Sequence, residues 1–407
     1  MWKISKGQGI TVAVIDGGFK LDHPDLVGQF LPGKDFSGGS GGVGSYGDGH
    51  GTEMSSLIAG TGESVGGTGA YGLAPGAKIL PLKINNGSFS GVSPSDFLDQ
   101  IGQAVNYAVD HGVKVINISQ GMDAVRFTSD DVVKLTGILA QARAKGALVV
   151  ASVGNQAQSG NPVSYPGGLP NVVGVGALDH DAVVTAESEQ GPQVVLTAPG
   201  MDIVAACAAD TGYCKSHGTS DAAALVSASA ALVWSVHREW TANQVLRVLV
   251  NTAGTPHDGS VRNDLGGYGS VRPRVALTDP GDPGPADVSP VPTATPVATA
   301  SPSSSASSSA PTSSTPGSIG SPSDVAAGAP PAQSKAEAPS GSSSALLIVG
   351  GVVAGLLVVA GVVFAVVRRR KAAVPLVPPQ QPVGAATLPS PPAHQSSMPP
   401  EDNPYAR

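Results

Sequence analysis

The sequence predicts an α/β domain built on a largely parallel sheet flanked by helices, and two observations lead to this prediction. Short runs of β-branched residues are apolar at nearly every position, as in strands covered on both faces. Helical patterns separate several of these runs, which is typical of a parallel sheet. The functional groups of such sheets collect at the carboxyl ends of the strands. The predicted strands are residues 10–15, 78–83, 113–119, 147–152, 172–177 and 194–198.

Four helices are predicted from apolar periodicity and from signals at their ends. The first is expected to have Ser95 as its N-cap, and the first two each stop at a glycine. The last is opened by a capping box, in which Thr241 is followed three residues later by Gln244. The predicted helices cover residues 95–111, 130–145, 220–237 and 241 to about 250.

Charge and cysteine content exclude several classes of protein. The chain has a net charge of −7 and no strongly basic region in its foldable part, so it is not expected to bind nucleic acid. Its two cysteines are too few for a disulfide-dense scaffold or a cysteine-rich zinc domain.

The composition changes sharply near residue 280, so we predict one folded domain over residues 1–280. Residues 281–344 are rich in Pro, Ser, Thr and Ala and contain too little apolar surface to offset chain entropy. We expect them to form a disordered linker that could extend about 3.1 Å per residue. The Ser, Thr and Pro content is compatible both with O-glycosylation and with an unmodified spacer.

Residues 345–367 contain no charged residue and, as a helix at about 1.5 Å per residue, would be long enough to span a bilayer. Arg368, Arg369, Arg370 and Lys371 follow directly, and this basic cluster predicts a cytoplasmic tail over residues 368–407. We therefore expect a single-pass cell-membrane protein with its folded domain outside the cell.

That orientation normally requires an export signal, but the chain opens with MWKISKGQGITVAVIDGG, which lacks a basic-then-apolar leader. We expect the natural start to lie upstream of Met1, with the signal peptide missing from this gene product. If Met1 is the true start, the alternative is a cytosolic, tail-anchored protein.

Three segments place a chemically useful side chain at the end of a strand or the start of a helix. Asp16 ends VAVID, His50 precedes Gly-Thr and a small-residue helix, and Ser220 begins an Ala-rich helix. Each alone has an ordinary structural explanation, such as a turn, a surface loop or an N-cap. Together they supply a nucleophile, a base to take its proton, and a carboxylate to orient that base. The order Asp, His, Ser is one of those known for this triad.

With these residues the chain resembles the subtilisin-like serine proteases, the subtilases. It is most similar to the mycosins, membrane-anchored subtilases associated with type VII secretion in actinobacteria. The resemblance covers about residues 2–278. Its blocks are VAVIDGGFKLDHPDL, GHGTEMSSLIAG, GLAPGAKILPLKI, VINISQG, ASVGNQ, YPGGLPNVVGVGA, VVLTAPG and GTSDAAALVSASAALV.

The resemblance implies roles for individual residues. Asp16, His50 and Ser220 would be the orienting carboxylate, the general base and the nucleophile, and Asn155 would donate to the oxyanion. Two backbone edges would grip an extended polypeptide substrate, and the chemistry would need no metal or organic cofactor. The type VII secretion machinery is the partner implied. The edges contain Ser119 with Gly121, and Ser152 with Gly154.

Several positions depart from the family pattern, most clearly Gly17 after the aspartate and the acidic Asp221 after the serine. A charge at Asp221 would oppose a nearby oxyanion if it pointed inward. These departures keep open an alternative function, a catalytically weak or inactive subtilase-fold subunit that braces a membrane secretion complex.

Cys207 and Cys214 lie in the loop before Ser220. In an exported domain they could pair and close an eight-residue loop, worth about 2.5 kcal/mol on the chain-entropy model, although two free thiols remain the alternative. Asp25 matches a position that binds calcium in some subtilases, but one oxygen ligand does not make a site, and no metal site is predicted.

Overall fold

A parallel sheet forms the centre of the domain in the computed structural model, which describes residues 1–85 and 91–291. In chain order the strands are β1 (Thr11–Asp16), β2 (Lys34–Asp35), β3 (Lys78–Lys83), β4 (Val115–Ile118), β5 (Met122–Asp123), β6 (Leu148–Ser152), β7 (Ser164–Tyr165), β8 (Val172–Leu178), β9 (Val194–Pro199), β10 (Ile203–Ala206) and β11 (Tyr213–Ser216). Seven of them form the main sheet, in the order β2-β3-β1-β4-β6-β8-β9. All neighbours in it are parallel, which confirms the predicted fold class.

The helices cover both faces of the main sheet. They are α1 (His50–Ala59), α2 (Ser64–Gly67), α3 (Pro94–Asp110), α4 (Ser129–Ala144), α5 (Thr219–Val236), α6 (Ala242–Asn251) and α7 (Pro273–Thr278), with 3₁₀ turns at Ala124–Arg126 and Ala157–Ser159. Two antiparallel pairs, β5 with β7 and β10 with β11, lie outside the main sheet.

Alternate residues of each central strand belong to different cores, as strand geometry requires. In β1, Val12 and Val14 pack in the core that contains α1, α5, α6 and α7. Ala13 and Ile15 pack in the other core, with the apolar faces of α3 and α4. The strands are therefore apolar on both faces because both faces are covered.

The start of α3 differs from the prediction. Ser93, rather than Ser95, is the N-cap, and its hydroxyl accepts a hydrogen bond from the backbone N–H of Asp96 at 3.1 Å. Pro94 occupies the first helical position, where its missing N–H costs nothing. The predicted capping box is confirmed at α6, where Thr241 and Gln244 exchange hydrogen bonds.

Helix α5 is the most apolar of the long helices and runs through the core. Its side chains are small near its start, and Trp234 near its end is fully buried. Among the described residues it alone is long and apolar enough to cross a membrane, yet 83% of it is buried inside the domain. It is therefore a core helix of the folded domain.

The described chain stays attached to the domain beyond residue 280. Arg247 of α6 donates to the backbone carbonyls of Pro283 (2.7 Å), Pro285 (3.0 Å) and Val288 (2.7 Å). Thr241, the N-cap of α6, and Asn243 both donate to the carbonyl of Ala286. Residues 281–291, predicted as the first part of the linker, thus lie against α6. The rest of that linker, the apolar run 345–367 and the tail 368–407 lie outside the described residues.

Candidate active site

Asp16 and His50 meet at the carboxyl end of the central strand β1. Asp16 is fully buried, and its two carboxylate oxygens lie 3.0 and 2.9 Å from Nδ1 of His50, the first residue of α1. Gly51 allows this approach, because a Cβ there would lie 3.0 Å from the Cβ of Asp16. The carboxylate therefore fixes the imidazole with Nδ1 as the donor and Nε2 directed elsewhere.

Burial and nearby negative charge shift the pKa of His50 in opposite directions. Burial of the imidazole acts to lower its pKa. The charge and hydrogen bond of Asp16, with smaller contributions from Glu53 and Asp48, raise it by more. The net pKa of His50 therefore lies above its ordinary value, and the imidazole is well suited to receive a proton.

Ser220 is the second residue of α5 and faces the carboxyl end of β4. Its Oγ donates to the carbonyl of Ser119 at 3.3 Å, while the Oγ of Ser119 donates back to the carbonyl of Ser220 at 3.0 Å. In this structure the Ser220 hydroxyl is bonded to Ser119 rather than to His50. As a first-turn residue, Ser220 also presents a backbone N–H that has no partner within the helix.

Asn155 lies next to the start of α5, and its amide has a fixed orientation. Both the backbone N–H and the hydroxyl of Thr219 donate to its Oδ1, each at 2.9 Å. The Thr219 hydroxyl in turn accepts from the backbone N–H of Gly154 at 3.2 Å. These bonds leave the Nδ2 amino group of Asn155 as the end that can donate to a ligand beside Ser220.

A single cavity of about 290 Å³ brings the sequence-predicted residues together. Of the residues predicted for catalysis and substrate binding, only Asp16 is missing from its wall, since Asp16 lies buried behind His50. The backbone edges that follow β4 and end β6 form two sides of the cavity. Of the predicted residues, it is lined by His50, Ser119, Gly121, Ser152, Gly154, Asn155 and Ser220.

The Subtilase family profile matches residues 7–271, nearly two thirds of the chain and all of the residues just described. The chain belongs to the subtilase family.

Curated subtilase relatives are named as serine proteases. The thermophilic serine proteinase of Bacillus sp. (strain AK1) is 35% identical over 240 residues, covering 58% of this chain and 55% of the relative. Subtilisin Savinase of Lederbergia lenta is 32% identical over 251 residues, covering 61% of this chain and 84% of the relative. The match thus spans about half of the first relative and most of the second.

Solved structures of mycosins share the fold. MycP1 from Mycobacterium smegmatis has a TM-score of 0.60 and 26% identity, with 70% of this chain and 84% of that one covered. The MycP3 protease from the type VII (ESX-3) secretion system has a TM-score of 0.59 and 32% identity, with 68% and 85% covered. The resemblance predicted from the sequence is confirmed: the chain carries a subtilisin-like serine protease domain related to the mycosins.

The acidic residue that departs from the subtilase pattern is turned away from the cavity. Asp221 is fully buried and accepts a hydrogen bond from the hydroxyl of Ser216 at 2.7 Å. Burial raises the pKa of Asp221 to about 6, and its second oxygen has no partner among the described residues. The concern that it would oppose an oxyanion is reduced, because Asp221 does not line the cavity.

Cys207 and Cys214 are joined by a disulfide that closes the β10–β11 hairpin. The carboxylate of Glu53 lies within 4.8 Å of both sulfur atoms. Because the sulfurs are bonded to each other, neither is a thiolate that could bind a metal ion there.

The carboxylate of Asp25 accepts hydrogen bonds from donors of the protein itself. Its carboxylate accepts from the backbone N–H groups of Ser64 (3.0 Å) and Ala70 (2.9 Å) and from the hydroxyl of Tyr213 (2.8 Å). These hydrogen bonds hold the pKa of Asp25 below its ordinary value in spite of the burial that opposes them. Donors, rather than other oxygen ligands, surround this carboxylate, so the residues do not fit a calcium site.

Two side chains near the site were not predicted from the sequence. Gln120 donates to Asp16 at 2.9 Å and lies 3.3 Å from Nδ1 of His50. Its position after β4, beside Ser119, was a usable signal, but only its backbone was predicted to matter. Glu189 is buried behind the cavity wall and lies in a stretch without periodic pattern, so no sequence signal marked it.

Proposed function

We propose that this chain is a serine endopeptidase that hydrolyses peptide bonds through an acyl-enzyme. The observation that carries the proposal is the pair of contacts from Nδ1 of His50 to both oxygens of Asp16, with Ser220 in the same cavity. Asp16 is assigned as the orienting carboxylate, His50 as the base and Ser220 as the nucleophile. The family match supports each assignment.

The reaction begins with a rotation of the Ser220 side chain. Its hydroxyl leaves the carbonyl of Ser119 and turns towards Nε2 of His50, a change between staggered rotamers. Nε2 then takes the hydroxyl proton as Oγ bonds to the substrate carbonyl carbon. The imidazolium returns this proton to the leaving amine when the peptide bond breaks, and water repeats the sequence to release the acid.

The developing oxyanion would be stabilised by Nδ2 of Asn155 and the backbone N–H of Ser220. Thr219 holds the Asn155 amide in the required orientation before the substrate arrives. Preorganised donors of this kind are effective because they need no rearrangement when charge develops. The edges at Ser119–Gly121 and Ser152–Gly154 would bind the polypeptide in an extended conformation.

The proposal is tested by labelling the full chain, purified in detergent, with a fluorophosphonate probe. We expect labelling that Ser220→Ala abolishes and that Ser229→Ala, in the same helix, leaves unchanged. No labelling of a chain with native circular dichroism would overturn the proposal. It would favour the alternative of an inactive subunit that braces a membrane complex.

We further propose that residues 345–367 anchor the chain as a single-pass membrane protein, with residues 281–344 as the linker and 368–407 as a cytoplasmic tail. The charge-free run and the basic residues after it support this topology. Protease treatment of intact cells tests it, because an external domain would be digested while an epitope on the tail stays protected. Digestion of the tail alone would contradict the orientation.

A link to type VII secretion is proposed from the mycosin neighbours. Among them, MycP1 belongs to the ESX-1 type VII secretion system and MycP3 to the ESX-3 system. Purification of the tagged full chain from native membranes should recover secretion components. Recovery of none, after mild crosslinking, would contradict the link and leave the peptidase proposal standing.

A further inference from the structure

A buried carboxyl group lies directly behind the wall of the cavity that contains Ser220. Glu189 has no exposed surface. Its backbone N–H donates to the carbonyl of Gly154 at 3.0 Å, and its Oε1 accepts from the hydroxyl of Ser164 at 3.1 Å. Its other oxygen, Oε2, has no hydrogen-bond partner among the described residues. A buried carboxyl with an unused oxygen is costly unless something else compensates it.

Only a thin wall separates this carboxyl group from the cavity. Gly154 and Ser164 both line the cavity, and both contact Glu189. A Cβ at Gly154 would overlap the Glu189 carboxyl group, so glycine is needed for the two to pack together. Because the Ser164 hydroxyl gives its proton to Glu189, its lone pairs remain available to a donor inside the cavity.

A second carboxylate lies on the same side of the cavity. The short strands β5 and β7 pair Asp123 with Ser164 across the ladder. Gln156, another lining residue, donates to Asp123 at 3.3 Å. Among the described residues, neither Asp123 nor Glu189 forms an ion pair with a basic side chain. Two carboxyl groups without a basic partner therefore flank Ser164.

Burial raises the pKa of Glu189 to about 7 and the charge of Asp123 adds to this shift, although the hydroxyl of Ser164 and the backbone N–H groups of Gln156 and Ser164 oppose it. A cation held near Ser164 would reverse that shift and stabilise the ionised form. In an extended substrate held by the two backbone edges, the side chain of the residue whose carbonyl reaches Ser220 would enter this cavity, whose wall also includes Ser164 and Gln156. That substrate side chain is thus the natural source of the missing positive charge.

We propose that Glu189, assisted by Asp123 and Ser164, is a specificity-determining residue that selects lysine or arginine immediately before the scissile bond. Ser164 accepts a hydrogen bond from the ammonium or guanidinium group, and the two carboxyl groups balance its charge. The proposal rests on the proposed peptidase function and names the substrate class that it would cleave.

The test uses peptidyl aminophosphonate diphenyl esters, which react with an activated serine and differ only in the side chain of the residue that enters this cavity. Inactivation rates of the full chain are measured for lysine, norleucine and glutamate probes. We expect the lysine probe to react at least tenfold faster than norleucine, and the glutamate probe to react slowest. Faster reaction of the norleucine probe would overturn the proposal.

Glu189→Gln is the matched variant, because it keeps the shape and removes the charge. It should lower the lysine-to-norleucine ratio about tenfold, because the lysine rate falls by more than the norleucine rate. Glu63→Gln, an exposed acid outside the cavity, makes the same chemical change and should keep the wild-type ratio. An unchanged ratio in folded Glu189→Gln would overturn the proposal.

If Glu189→Gln does not fold, the half-buried Asp123→Asn provides a second test, with a smaller fall in the same ratio. An unaltered ratio in Asp123→Asn would also count against the proposal. Labelling by the fluorophosphonate probe separates the two levels of inference. Labelling without a lysine preference would refute the specificity proposal alone. Absence of labelling would refute both the peptidase function and the specificity proposal.

Discussion

The pKa of His50 sets the pH range in which the proposed base can act. Only the neutral imidazole accepts a proton from Ser220, and the nearby carboxylates raise the pKa of His50 above 6.5. We therefore expect kcat/KM for a peptide substrate to rise with pH and to show its inflection above 6.5. The measurement is a pH–rate profile, and an inflection at or below 6.5 would contradict this account of the site.

Gln120 should influence that inflection from outside the triad. Its amide donates to Asp16 and disperses part of the carboxylate charge. In Gln120→Leu the charge on Asp16 is less balanced and attracts the imidazolium more strongly, so the inflection should move upward by about 0.5–1 pH unit. Gln193→Leu, in which the changed residue lies outside the cavity, should keep the wild-type profile. A loss of rate without a shift would indicate a purely structural role for Gln120.

Asp221 is expected to reduce stability at neutral and alkaline pH. Its pKa of about 6 in the folded chain exceeds its ordinary value of 3.8, so folding favours the protonated form. Stability should fall by about 3 kcal/mol as pH rises from about 4 to 6, and it should then stay level. Asp221→Asn keeps an acceptor for Ser216 and should be the more stable form at pH 8 in urea unfolding. Equal stability of the two chains at pH 8 would contradict the assignment.

Helix α5 is joined to strand β4 by a buried hydrogen bond as well as by apolar packing. The hydroxyl of Ser227 donates to Oδ1 of Asn117 at 3.0 Å, and Nδ2 of Asn117 donates to the hydroxyl of Ser119 at 3.0 Å. Since Ser119 bonds in turn to the carbonyl of Ser220, this chain of contacts holds the start of α5 against the sheet.

Ser227 and Ser229, both in α5, allow a matched test of how much the hydrogen bond between α5 and β4 contributes to stability. Ser227→Ala leaves a buried acceptor of Asn117 without a donor and should cost about 1–3 kcal/mol of unfolding free energy. Ser229 is equally buried but bonds only to the Leu225 carbonyl of its own helix. Ser229→Ala should therefore change stability by less than about 0.5 kcal/mol. The check is the free energy of unfolding in urea, and similar losses in both variants would refute the comparison.

The main elements could be predicted because their burial leaves a pattern in the sequence. The six predicted strands all occur in the main sheet, and each is apolar because helices cover both of its faces. The two-residue strands β2, β5 and β7 are too short for any periodicity to be read. The N-cap of α3 was misplaced by two residues because Ser93 and Ser95 flank Pro94, and the proline decides between them.

At the scale of the whole domain, Arg247 holds the chain that leads out of it. Arg247→Met removes three hydrogen bonds to residues 283–288 and should release this segment from α6. In a Ser220→Ala background, which prevents self-digestion, thermolysin should then cut near Val288 about tenfold faster. Arg238→Met removes a single bond to the carbonyl of Gln8 and is the control. Equal cutting rates would show that the segment is held by other contacts.

The site could be predicted only as far as each residue carries a local signal. Asp16, His50 and Ser220 each end a strand or begin a helix, and their family blocks surround them. Glu189 depends on a different kind of information, because it reaches the cavity only through its packing on Gly154. The proposed substrate preference therefore depends on packing in the folded domain and leaves no local signal in the sequence.

The order in which the triad appears along the chain has a consequence for protein synthesis. The carboxylate and the base belong to β1 and α1, near the start of the chain, whereas the nucleophile belongs to α5, which follows the last strand of the main sheet. A nascent chain that has formed β1 and α1 contains the imidazole of His50 but does not yet contain Ser220, the residue that this imidazole would activate. The proposed peptide cleavage would therefore begin only after the whole sheet has been made, which would keep a growing chain from digesting its neighbours.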